Sequence, residues 1–144
     1  MNLYVFGNGN LAFSDFLSYY VPVLNSVLEI KDHQFLVCDF RGTDTLVMEF
    51  LKSRTQNVTV FHIGERPRYL PDRYRTDVSK WRLSSSFLSD RTRDDAAIAA
   101  CDHFLAFDAN STEARVSGTA QNIARCLELG RVRLAPERLS RTAV

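Results

Sequence analysis

Apolar runs and amphipathic stretches alternate from one end of this chain to the other, and that alternation narrows the fold more than any single motif does. Leu3 to Phe6, Phe35 to Cys38, Val58 to Ile63 and His103 to Asp108 are short, near-continuous apolar segments, and Val132 to Leu134 offers a fifth. A strand with a polar face would alternate; runs like these belong to strands covered on both sides. Between them lie residues at helical spacing. Phe13, Phe16, Leu17 and Tyr20 form one face, continued by Val23, Leu24, Val27 and Leu28 beyond Pro22, which is expected to kink or break that helix. Leu46, Val47, Phe50 and Leu51 mark a second helix. Ser84-Ser85-Ser86 is read as leading into a third, which carries Phe87 and Leu88 and ends at Ala96 to Ala100. Ala120, Ile123, Ala124 and Leu127 mark a fourth, stopped at Gly130. Right-handed crossovers turn this order into an α/β fold. The expectation is a doubly wound, mostly parallel sheet of four to five strands with helices on both faces.

At 144 residues the chain is long enough for one domain with a real core and too short for two. The domain is placed at residues 1–135, with a C-terminal tail at 136–144. A net charge of +1 supplies no global field towards nucleic acid or a membrane surface, so neither is expected as a partner. No apolar run reaches membrane-spanning length, and the N-terminus lacks the layout of a signal peptide. Cys38, Cys101 and Cys126 are odd in number and set among apolar neighbours, which points to reduced core thiols and a cytoplasmic setting. The three histidines are scattered and away from the cysteines, so no metal site is expected, and no cofactor.

In doubly wound sheets ligands bind beyond the carboxyl ends of the strands, where the strand order reverses. Glycines and short polar residues gather at those ends here. Gly7-Asn8-Gly9 follows the first strand but lacks the third glycine of a dinucleotide fingerprint. Arg41-Gly42-Thr43-Asp44 follows the second, with Thr43 or Asp44 able to cap the helix after it. Ser117-Gly118-Thr119 opens the last helix. That helix terminus presents free N–H groups and a positive dipole end, which suits phosphate; the plainer alternative is that Ser117 only caps the helix. A second such turn at Gly42-Thr43 on the same edge favours a phosphate-bearing ligand, with Arg41, Arg91 and Arg93 as neutralising charges.

Asp108, at the carboxyl end of its strand, is placed to accept hydrogen bonds from ribose hydroxyls. No carboxylate pair has the spacing of a general acid and base. His62 sits near the same edge and reads as a structural histidine. Gly64 to Leu83 is a long irregular stretch in which Arg66, Arg68, Arg73, Arg75 and Arg82 alternate with Tyr69, Tyr74 and Trp81. It could stack a base and hold phosphates, but aromatics packed on the body of the domain is the favoured reading.

Together these residues resemble the SLOG superfamily of Rossmann-like domains, which includes the Lonely-guy phosphoribohydrolases, the DNA-processing protein A core and the YspA-like group. Nucleoside 2-deoxyribosyltransferases look like more distant relatives. The carriers are Gly7-Asn8-Gly9, Arg41-Gly42-Thr43-Asp44, Arg93-Asp94, and the stretch from Cys101-Asp102 through Gly118-Thr119 to Leu129-Gly130. The resemblance implies a Rossmann-like domain holding a nucleotide or nucleotide-derived small molecule between its glycine turns, and a homodimer. It also exposes a departure. Asn122 stands where the enzymes of the superfamily carry a glutamate, and Val116 where the deoxyribosyltransferases keep an aspartate. An amide is neither a nucleophile nor a charge for an oxocarbenium ion. The expectation is therefore a ligand-binding, sensing or sequestering domain with Asn122 as a ligand contact. The alternatives are an N-glycosidic hydrolase or deoxyribosyltransferase-like enzyme using Asp108 or Glu113, and an interaction module with a vestigial pocket.

Overall fold

The computed structural model describes residues 1–136, so the expected tail lies, beyond Pro136, outside the described residues. Six strands form one sheet in the order β4-β3-β2-β1-β5-β6. These are β1 (Asn2–Gly7), β2 (Gln34–Cys38), β3 (Val58–Ile63), β4 (Arg82–Phe87), β5 (His103–Phe107) and β6 (Val132–Arg133). Every pairing is parallel. From β1 the chain winds outward through β2 and β3 to β4, then crosses back to lay β5 against the other side of β1. The order therefore reverses between β1 and β5, the position at which such sheets open a crevice. The domain is Rossmann-like.

Two cores result, one on each face. Leu3, Val5, Phe35, Val37, Val58, Val60 and Leu105 point to the face covered by α1 (Phe13–Tyr19), α2 (Val21–Leu28) and α3 (Thr43–Leu51). Tyr4, Phe6, Leu36, Cys38, Phe61, Phe104 and Ala106 point to the face covered by α4 (Asp90–Ala100) and α5 (Gly118–Glu128). Successive residues of β1 to β3 and β5 thus enter opposite cores, which is why these strands read as continuous apolar runs. Pro22 separates α1 from α2 as expected: it occupies the first turn of α2, where its missing N–H costs nothing.

The strand β4 differs from the expectation. Ser84, Ser85, Ser86 and Phe87 belong to a sheet-edge strand paired with β3, and α4 begins only at Asp90. β4 is mostly exposed, so its serines need no apolar partners, and nothing in their pattern announces a strand. Ser89 starts α4 with a capping box, accepting from the Thr92 N–H while the Thr92 hydroxyl accepts from the Ser89 N–H.

The arginine- and aromatic-rich stretch packs on the domain. Tyr69 and Leu70 lie against the first core, and Trp81 is buried, donating its indole N–H to the Thr55 carbonyl at 3.0 Å. Tyr74 alone of its aromatics stays well exposed. Cys38, Cys101 and Cys126 are free thiols in the second core. Among the described residues, no helix is long and apolar enough to cross a membrane.

Candidate functional site

The carboxyl ends of β1 and β2, together with the N-termini of α4 and α5, enclose a pocket of about 700 Å³. That is within the range of small-molecule sites. Its floor is formed by Tyr4, Phe6 and Cys38 of the sheet. Tyr4 and Phe6 stack with centroids 4.5 Å apart, and Phe104 continues the row beneath. Burial pushes the Tyr4 phenol and the Cys38 thiol well above their ordinary pKa values, so the floor is uncharged.

One wall is the turn before α5. Ser117 caps the helix by accepting the Ala120 N–H at 3.0 Å, so the plainer reading of this serine is correct as far as it goes. The Gly118 and Thr119 N–H groups, however, have no acceptor among the described residues, and both residues line the pocket. A Cβ on Gly118 would meet nothing within 4 Å: the space in front of this glycine is open.

Behind that turn lies a polar knot that fixes it. Asp108 accepts hydrogen bonds from Asn8 Nδ2 at 2.9 Å, the Ser117 hydroxyl at 2.8 Å and the Asn110 N–H at 3.1 Å. Asn8 also donates to Thr119 Oγ1 and accepts the Ala109 N–H. Burial raises the Asp108 pKa, but the donors of Ser111, Asn8, Ser117 and Asn110 outweigh it and bring the carboxyl to about 2. Asp108 is therefore an ionised tether between the loops after β1 and β5. It does not line the pocket, and neither does Glu113.

The opposite wall comes from the loop after β2. Here the second glycine turn is turned inward. Thr43 is fully buried and directs both its N–H and its hydroxyl to the Asn8 carbonyl, at 3.2 and 2.9 Å. Gly42 has φ +72°, and a Cβ on it would lie 2.4 Å from the Gly9 backbone. Gly7 is equally crowded, by the Tyr20 hydroxyl and Thr43. Gly42 and Thr43 thus clamp the β1 loop rather than face the pocket. The pocket receives Gly7, Asn8, Gly9 and Asn10 from that loop, and Phe40, Arg41 and Asp44 from this one.

The charges sort into two groups. Arg93 is buried and committed to Asp39, Asp90 and Asp94 at 2.9, 2.9 and 3.0 Å, while Arg68 reaches Asp39 and Asp90 from the long loop. Burial raises the Asp39 pKa, but Arg68 and Arg93 pull it below the ordinary carboxylate value. Arg91 is engaged with Asp95 and with Asn122 Oδ1, and the Asn122 amide donates to Asp94 Oδ2 at 3.0 Å. Arg93 is thus part of the wall, its positive charge already matched, and Asn122 links α5 to α4 at the pocket margin. Arg41 and Arg115 form the second group. Both are exposed, both line the pocket, and neither has an ion pair among the described residues; Arg41 lies over Phe40 at 5.5 Å.

Arg115 carries no signal in the sequence, because it sits in a polar loop closed by a Thr112–Arg115 bridge that only the folded chain brings round to the pocket. Tyr4, Phe6 and Cys38 were legible as core and only as core. His62 is buried and does not line the pocket, in keeping with a structural histidine. No group of metal-ligating side chains is found among the described residues. No family model, no curated protein and no solved structure matches this chain. The resemblance to the SLOG superfamily therefore rests on the short motifs themselves.

Proposed function

We propose that this domain binds a nucleotide or nucleotide-derived small molecule carrying phosphate, as a SLOG-like sensing or sequestering module. The observation that carries the reading is the pairing, among the described residues, of two unengaged N–H groups at the start of α5 with two arginines that have no carboxylate partner, all on one pocket. A phosphate seated there would accept from Gly118 and Thr119 and be neutralised by Arg41 and Arg115, which is the usual way a helix N-terminus holds an anion. The aromatic lining supplied by Phe6 and Phe40 suits a flat ring on the same ligand. A homodimer remains part of the proposal; Leu127, Leu129 and Val132 leave apolar surface exposed beside α5.

The enzymatic alternative loses its named carboxylates, since Asp108 is bound up behind the α5 turn and Glu113 lies off the pocket. Thermal unfolding in the presence of AMP, ribose 5-phosphate and inorganic phosphate tests the reading. A ligand at a hundred times its Kd adds about 2.7 kcal/mol to stability. Stabilisation by AMP that is lost in Arg41→Ala/Arg115→Ala supports binding. No stabilisation by any of the three would favour a vestigial pocket. Free adenine appearing on chromatography would instead favour the N-glycosidic reading.

A further inference from the structure

Asp44 is the pocket residue whose environment the fold alone does not explain. It lies in the first turn of α3, is 4% exposed, and uses one carboxyl oxygen, Oδ2, to accept the Phe40 N–H at 3.0 Å. Its other oxygen has no hydrogen-bond partner among the described residues. Every fully covered side-chain oxygen and nitrogen among the described residues has one, so Oδ1 is not fully covered, and Asp44 lines the pocket. A buried carboxyl with one oxygen fixed by the backbone and the other opened onto a pocket is a group positioned for a ligand.

The groups around it decide which ligand atom it suits. Tyr4 and Cys38 of β1 and β2 present a neutral floor, while Asp39 at the end of β2 and Asp94 on α4 are carboxylates. Arg93 of α4 is the nearby cation, and it is already held by Asp39, Asp90 and Asp94. Burial is the main influence on Asp44 and the two neighbouring carboxylates add to it. Against the Phe40 N–H and Arg93, they hold its pKa at about 8. At neutral pH Asp44 carries a proton, and Oδ2 is occupied as an acceptor, which leaves Oδ1 as the donor facing the pocket.

We propose that Asp44 is a specificity-determining contact: its Oδ1 hydroxyl donates a hydrogen bond to an acceptor on the ring of the ligand, a ring nitrogen or carbonyl, while the phosphate of the same molecule sits at Gly118. The inference rests on the phosphate-site reading above and narrows it. The ligand class is a phosphorylated compound with an aromatic, acceptor-bearing ring, and a bare sugar phosphate fits only half the site. Ionisation of Asp44 removes the donor and sets a fresh negative charge beside a dianionic ligand, so binding must weaken as pH rises past 8.

The test measures AMP and ribose 5-phosphate affinities by calorimetry between pH 7 and 9.5, for the wild type, Asp44→Asn and Asp44→Leu. Asp44→Asn keeps an acceptor for the Phe40 N–H and an N–H donor for the pocket, without a titrating group. The wild type is expected to bind AMP at least tenfold more weakly at pH 9.5 than at pH 7, the competent fraction falling with the proton. Asp44→Asn should bind AMP at pH 7 like the wild type and show no such loss. Asp44→Leu should lose the preference for AMP over ribose 5-phosphate while keeping ribose 5-phosphate affinity. Should Asp44→Leu fail to fold, the Asp44→Asn pH profile decides by itself. AMP binding with the same pH profile in the wild type and Asp44→Asn would overturn the role of Asp44 and leave the phosphate site standing. Absence of AMP binding at every pH would overturn both.

Discussion

Two glycine turns at the same edge of the sheet, Gly42-Thr43-Asp44 at the start of α3 and Ser117-Gly118-Thr119 at the start of α5, look alike as sequence and act differently as structure. At the first, donors point into the protein: Thr43 gives its N–H and hydroxyl to Asn8, and Gly42 lies against the Gly9 backbone. At the second, the cap is made by the Ser117 side chain, which leaves the Gly118 and Thr119 N–H groups without an acceptor among the described residues, on two residues that line the pocket. A glycine before a helix is thus ambiguous between close packing against another loop and room for a ligand. What separates the two is whether the space a Cβ would occupy is filled by the protein, as at Gly42, or open, as at Gly118.

Substituting both glycines breaks or sharpens this contrast. Gly42→Ala places a Cβ against backbone at a positive φ and should cost about 3 kcal/mol of stability, read from urea unfolding. Gly118→Ala meets no atom and should leave the unfolding midpoint close to that of the wild type. Its methyl would occupy the open space beside the Gly118 N–H proposed to hold the phosphate, so AMP affinity should fall about tenfold or more, roughly 1.4 kcal/mol. If Gly118→Ala binds AMP as the wild type does, the two turns do not differ in the way described.

Ser117→Ala removes the α5 cap and should cost about 1 kcal/mol. Asp108→Asn, on the tether behind that cap, changes the acid limb of stability. The folded carboxyl has a pKa of about 2, below the roughly 3.9 of an unfolded aspartate. The stabilisation it gives is complete above pH 4 and is lost as pH falls towards 2. The stability difference between the wild type and Asp108→Asn should therefore be largest at neutral pH and shrink over that interval. A difference independent of pH would mean that Asp108 is not a charged tether.

The fold was legible where burial writes itself into composition. The strands β1, β2, β3 and β5 face a core on both sides, so continuous apolar runs identified them, and the helices between them showed their spacing. β4 was missed because it is an edge strand whose serines meet solvent, so that pairing with β3 leaves no apolar trace. Within the site, Gly118 and Thr119 line the pocket, and a helix opening after a strand is the signal that singles them out in the sequence. Arg93 could not be told from a free arginine in the sequence, because Asp39 lies 54 residues away and joins it only in the folded chain. Arg115 was hidden for the converse reason: its loop carries no pattern, and its place on the pocket depends on how Asp108 and Ser117 tie that loop down.

The central claim, that the α5 turn and not the α3 turn receives the ligand, is tested most directly by following backbone amides with 1H–15N NMR as AMP is added. The account predicts large, saturable shifts of the Gly118 and Thr119 amides, with the Thr43 amide, bonded to the Asn8 carbonyl, left nearly in place. Shifts centred on Thr43, with Gly118 and Thr119 unmoved, would contradict it.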